Sequence, residues 1–311
     1  MLTRLAATLT GLLAFAAAGC ASGTIGGDPG SVQVVAAFYP LQFVAERVGG
    51  GAAVTGLTPP GAEAHDLELS PSQVADVAGA DLVIYLPGFQ PAVDDVIAAH
   101  GSGAAFDAAA VVPPLDATTD EHADEDEHGD EDEHGDEHGG TDPHVWLDPD
   151  RLATIATDLA AALGELDPDH AAGYTGNAAA LGEELATLDA ELAAGLADCQ
   201  RREIVVSHAA FGYLADRYEL RQIAITGLSP EDEPTPQRLA EVIQQAEQHH
   251  ATTIFFEVLV SPAVAEVIAD EVGAGTAVLD PIEGLAPGSD QDYLSLMRAN
   301  LAALRTALDC R

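Results

Sequence analysis

Apolar positions along the chain recur with two periods. Residues 32–38 (VQVVAAF) and 81–86 (DLVIYL) are short apolar runs of strand length; the second is continuous enough for a strand buried on both faces. Between them, residues 41–48 carry helical spacing, and residues 53–57 (AVTGL) form a short strand ending in the turn Pro59-Pro60-Gly61. Ser70 opens a helix as its N-cap, with Pro71 at the first helical position and Gln73 three residues on. A helix over residues 91–99 and a strand over 104–112 follow. Strands alternating with helices predict a parallel sheet.

The alternation resumes in the second half. Residues 203–208 (EIVVSH), 221–226 (RQIAIT), 252–259 (TTIFFEVL) and 276–280 (TAVLD) read as strands. Residues 209–220, 236–249, 261–272 and 292–308 read as helices, with Thr235 as N-cap of the second. The two halves are separated by an alanine- and leucine-rich helical stretch, residues 149–197, which Pro168 and its glycines bend or divide. The predicted fold is α/β: two similar lobes with parallel sheets joined by a long bridging helix. The boundaries are 32–148 for the first lobe, 149–198 for the bridge and 199–311 for the second lobe. Each lobe is large enough for its own core. A ligand belongs in the cleft between them, near the carboxyl ends of the strands.

Residues 116–141 interrupt this order with a run of acids, glycines and histidines. That composition predicts disorder. His122, His128, His134 and His138 within it can still bind a metal weakly, as an auxiliary collector beside a tighter site. The whole chain carries a formal charge of −41, and all 11 of its basic residues are arginine. So acidic a chain repels phosphate and is no nucleic-acid binder, whereas it attracts cations.

At the N-terminus, Arg4 precedes an apolar run over residues 5–18 that is too short to span a membrane. Small residues then lead into Cys20, which resembles a bacterial lipoprotein signal. The resemblance implies a signal peptide over residues 1–19, lipid on Cys20 and a tether over 20–31, with plain secretion as the alternative. Lipid on Cys20 leaves Cys199 and Cys310, either bonded to each other, as export permits, or as two free thiols.

Four residues combine a metal-ligating side chain with a position near a strand end or at the insertion's edge: His65, His144, His208 and Asp280. Three imidazoles and a carboxylate fill a tetrahedral shell, which suits zinc at ~2.0–2.2 Å. Each has a plainer use when taken alone. His65 can be a surface histidine after a turn, His208 a hydrogen-bonded core histidine, and Asp280 a turn residue before Pro281. His100, His170, His249 and His250 read as helix-end or loop residues.

The surrounding motifs decide between these readings. PPGAEAHDLELSPS (59–72), ADLVIY (80–85), DPHVWLDP (142–149), VSHAAFGYLADRYEL (206–220), IFFE (254–257) and LDPIEGL (279–285), in this order and spacing, resemble the metal-binding receptors of ABC importers that take up zinc or manganese. The resemblance covers nearly all of residues 32–308. It implies a metal site in the cleft built from His65, His144 and His208 with Asp280 as fourth ligand, where Glu63, Glu257 or water can substitute. Manganese members place a carboxylate where His208 stands, so an imidazole there favours zinc. A lipid-anchored monomer outside the cytoplasmic membrane, handing zinc to a permease and its ATPase, is the implied function. Binding should weaken in acid as the histidines protonate. The alternatives are a manganese or iron receptor and an adhesin or metal-buffering surface protein. A zinc hydrolase would need an open coordination position and a general base, and the chain has no H-E-x-x-H.

Overall fold

The computed structural model of the chain describes residues 31–100, 105–115 and 141–311. Cys20 and the four insertion histidines, His122, His128, His134 and His138, lie outside the described residues. The first half builds β1 (Gln33–Ala36), α1 (Tyr39–Gly49), β2 (Ala53–Gly56), α2 (Pro71–Gly79), β3 (Leu82–Tyr85), α3 (Pro91–His100) and β4 (Ala105–Asp107). The second half follows the helices α4 (Pro149–Leu166) and α5 (Ala171–Leu196). It builds β5 (Glu203–Val206), α6 (Gly212–Arg217), β6 (Arg221–Ala224), α7 (Pro236–Gln248), β7 (Thr253–Phe256), α8 (Ala263–Val272), β8 (Gly275–Val278) and α9 (Tyr293–Leu308). Each half holds a four-stranded parallel sheet, in the orders β2-β1-β3-β4 and β6-β5-β7-β8. The strand order is the same in both, so β1 and β5 occupy equivalent inner positions and their carboxyl ends open toward the cleft.

Local chemistry sets most element ends. Ser70 and Gln73 close a capping box on α2, Asp292 and Ser295 another on α9, and the Thr235 hydroxyl accepts the Arg238 N–H at the start of α7. The strand expected over 104–112 stops at Asp107, because its carboxylate accepts the N–H groups of Ala109 and Ala110 and turns the chain. The helix expected over 209–220 shrinks to α6, since Ala209 and Ala210 spend their N–H groups on the carbonyls of Gly227 and His208.

Pro168 divides the helical stretch, while the glycines within α4 and α5 leave them unbroken. The residue before a proline is pushed out of helical geometry, and Asp167 takes φ −135°, ψ 79°. α5 packs on α1 of the first half and on α9 of the second, and α4 packs along both α5 and α1. One apolar core therefore runs from Val34 and Val44 through Leu159, Leu181 and Leu192 to Leu304, joining the halves. A smaller core lies between β5–β7 and helices α7 and α8, around Val205, Val242, Ile254 and Ile268. Among the described residues no helix is long and apolar enough to cross a membrane.

Cys199 and Cys310 form a disulfide across a sequence separation of 111 residues, tying the chain after α9 to the end of α5. A loop this long lets the bond constrain the unfolded chain strongly, so replacing both cysteines by serine should cost ~2–5 kcal/mol. Urea unfolding of the two forms measures it; equal midpoints would mean that α9 is held by packing alone.

Candidate metal centre

His65 sits in the turn after β2. Glu63 accepts the His65 and Asp66 N–H groups at 3.0 Å each, and the Gln90 side-chain amide donates to the Ala64 carbonyl at 2.9 Å. The same amide reaches Thr58, whose hydroxyl bonds the Ala37 carbonyl, so the turn is strapped to the end of β1. His144 precedes a short 3₁₀ turn, Val145–Leu147, and is fully buried. The Asp142 carboxylate takes both its backbone N–H, at 2.9 Å, and its Nδ1–H, at 2.7 Å. His208 follows β5, also fully buried, and its Nδ1–H donates to Glu257 at 2.6 Å from the end of the adjacent strand β7. A carboxylate on Nδ1 fixes the tautomer and leaves Nε2 as the metal-facing nitrogen.

The three Nε2 atoms converge on one carboxylate, Glu283. Its Oε1 lies 3.4 Å from His65, 3.4 Å from His144 and 3.1 Å from His208, and the Nε2 atoms of His144 and His208 are 3.4 Å apart. The donor atoms of all four residues fall within 4.8 Å of one another. Bonds of ~2.0–2.2 Å in a regular tetrahedron put ligand atoms ~3.3–3.6 Å apart. The contacts in the site match that spacing.

Asp280, the expected fourth ligand, is not in this cluster. Its Oδ1 accepts the Ile282 N–H at 2.8 Å, and its backbone N–H and C=O pair with the Asn300 amide. That closes a tight turn in which Ile282 takes φ +60°. The Trp146 indole donates to the Pro281 carbonyl at 2.7 Å and anchors the same turn. The turn projects Glu283 inward where Asp280 was expected. Glu257 and Glu63, the other expected substitutes, are engaged on His208 Nδ1 and on backbone amides. Glu283 was legible only as the acid in LDPIEGL; nothing in its spacing ranks it above Asp280. Glu63 and Asp66 also approach Glu231 from the second half at the exposed rim of the site.

Phe38, Phe89 and Trp146 wall the site, with Phe89 4.4 Å from the His65 ring and Trp146 5.2 Å from that of His144. Water is kept away, so charges interact strongly. Burial opposes a charged His208, but the Glu257 and Glu283 carboxylates outweigh it and raise its pKa to about 10. His144 is raised as well, against its burial, by Asp142 and Glu283. Burial would raise Glu283, yet the charge of His208 and the hydrogen bonds of all three histidines hold it well below the usual carboxylate range. Asp280 rises to about 6 through burial and the nearby Glu283 and Glu257 charges, with the Ile282 N–H opposing.

The likeness to known proteins agrees with this site. Residues 34–307 match the family model described as zinc-uptake complex component A, periplasmic. The chain is 35% identical over 294 residues to the zinc-binding protein AdcA of Streptococcus pyogenes serotype M3, covering 90% of this chain and 56% of that protein. It thus spans about half the length of that relative. It is 33% identical over 285 residues to the high-affinity zinc uptake system protein ZnuA of Bacillus subtilis, covering 89% of this chain and 88% of that protein. The solved Zn(II)-bound ZnuA-like domain of Streptococcus pneumoniae AdcA superimposes with a TM-score of 0.73 at 32% identity, covering 90% of this chain and all of that domain. With its two parallel-sheet lobes and a His3Glu cluster between them, the chain belongs to the family of the periplasmic component A of zinc-uptake complexes.

Proposed function

We propose that this protein is the extracytoplasmic receptor of a zinc importer. It binds one Zn2+ through His65, His144, His208 and Glu283 and delivers it to an ABC permease driven by an ATPase. The observation that carries the reading is the convergence of three imidazole Nε2 atoms and one carboxylate oxygen at tetrahedral ligand spacing. Three nitrogens and one oxygen favour zinc over manganese, which prefers more oxygen donors. Four protein ligands fill the shell and leave no open position for a catalytic water, so the site binds and does not catalyse. A lipid on Cys20 would hold the receptor at the outer side of the cytoplasmic membrane, and residues 116–141 would collect zinc beside the tight site.

Competitive metal titration of the chain from Gly23 onward, beside a variant lacking residues 121–140, tests this. One tight zinc in both, with manganese much weaker and stoichiometry above one only in the longer chain, is the expected result. Manganese binding as tightly as zinc would favour a manganese or iron receptor. Loss of the tight site with the deletion would move the metal centre out of the cleft. A wild-type chain with no tight site would leave the surface-adhesin reading.

A further inference from the structure

The insertion begins and ends at one buried point. Leu115 and Asp142 are hydrogen-bonded to each other, the Asp142 N–H donating to the Leu115 carbonyl at 3.0 Å. A single phenol from the other half of the molecule grips both. The Tyr213 hydroxyl accepts the Leu115 N–H at 2.9 Å and donates to the Asp142 carbonyl at 3.0 Å. The ring is 1% exposed and carries the Arg151 guanidinium 4.6 Å above it, and Arg151 also donates to the Pro113 carbonyl. Next to Tyr213, Gly212 lies so close to Asp142 that a Cβ there would meet the Oδ2 oxygen at 2.3 Å. That carboxylate is the one whose other oxygen orients His144.

We infer that Tyr213 is a positioning residue for zinc capture, holding Asp142, and through it the His144 imidazole, at the height set by α6. The inference rests on the zinc reading above. α6 begins four residues after His208, so one short segment carries His208 on one side and fixes the orienting partner of His144 on the other. The two imidazoles come from opposite halves of the chain, yet their spacing is set through this link. The same link closes the insertion at its base, which explains how a tight site can stand beside so acidic a segment without depending on it. Loss of an outer partner of a metal-ligating histidine lowers metal affinity ~10–100-fold. Tyr213 acts one bond further out, so the lower end of that range applies.

The test uses the full chain, with Zn2+ in competition with a chromophoric chelator and Co2+ as a spectroscopic probe. Tyr213→Phe should bind zinc about tenfold more weakly and should alter the visible Co2+ spectrum, because the His144 ring is no longer held. Tyr174→Phe, which removes a hydroxyl bonded to Asp167 in the turn between α4 and α5, should leave both unchanged even where it lowers the melting temperature. In an Asp142→Ala background, Tyr213→Phe should cause no further loss, since the coupling runs through Asp142. Wild-type affinity and spectrum in Tyr213→Phe, or an undiminished loss in the Asp142→Ala background, would overturn the inference and leave the zinc site intact. Absence of tight zinc binding by the wild-type chain would instead overturn the reading on which it rests.

Discussion

Glu283→Gln should lower zinc affinity by more than the ~10–100-fold lost with an outer partner of a ligating histidine, whereas Asp280→Asn should lose no more than about tenfold. The two acids stand three residues apart in one turn, so their comparison isolates which oxygen faces the ion. Glu283 offers Oε1 to all three imidazoles at 3.1–3.4 Å, and an amide in its place supplies a neutral, weaker donor. Asp280 spends Oδ1 on the Ile282 N–H, and an asparagine can keep that bond through its own carbonyl oxygen. Chelator competition gives the affinities, and thermal unfolding of the metal-free variants separates binding from folding. An Asp280→Asn variant that loses zinc while Glu283→Gln retains it would reverse the ligand assignment.

Zinc affinity should rise about tenfold for each pH unit from neutrality toward pH 10, because zinc must displace a proton from His208. The metal-free site holds an imidazolium between Glu257 and Glu283, with a pKa of about 10. Raised above its unfolded value, this group contributes stability that is complete below pH ~6.5 and is lost as pH rises through about 10. The depressed Glu283 contributes stability present above its unfolded value, lost as pH falls through its folded one. Both contributions are in force at neutral pH, so the metal-free cluster is closed by its own charges. Titration calorimetry in buffers of different ionisation enthalpy should therefore show about one proton released per zinc at pH 8. The elevated His144 adds a second proton at lower pH and steepens the acid limb. Affinity that is flat between pH 7 and 9 would mean that His208 is already neutral, and the two carboxylates would then hold less charge than their geometry implies. Acid weakens binding as the residue types alone suggest, but the carboxylates around the imidazoles move the titration far above the ordinary histidine range.

What the sequence by itself determined is the set of features encoded by neighbouring residues. The apolar runs at 32–38, 81–86 and 203–208 could only be buried strands, and each heads a lobe. Ser70, Thr235 and Asp292 cap the helices their local chemistry selects, and Pro168 breaks the bridging stretch because it cannot continue a helix. The three histidines were legible because each closes or follows a strand inside a distinctive motif. The carboxylate was not legible, since Asp280 and Glu283 share one short turn and either could point inward. Only the tertiary structure decided between them. The Asn300 amide from α9 and the Trp146 indole from the other side of the cleft pin that turn, and the left-handed residue Ile282 rotates it so that Asp280 closes the bend and Glu283 enters the site. Tyr213 was hidden for the same reason. Its ring periodicity marks it as core, but its work lies in partners 98 and 71 residues away, and hydrogen bonds across such separations leave no local trace in a chain.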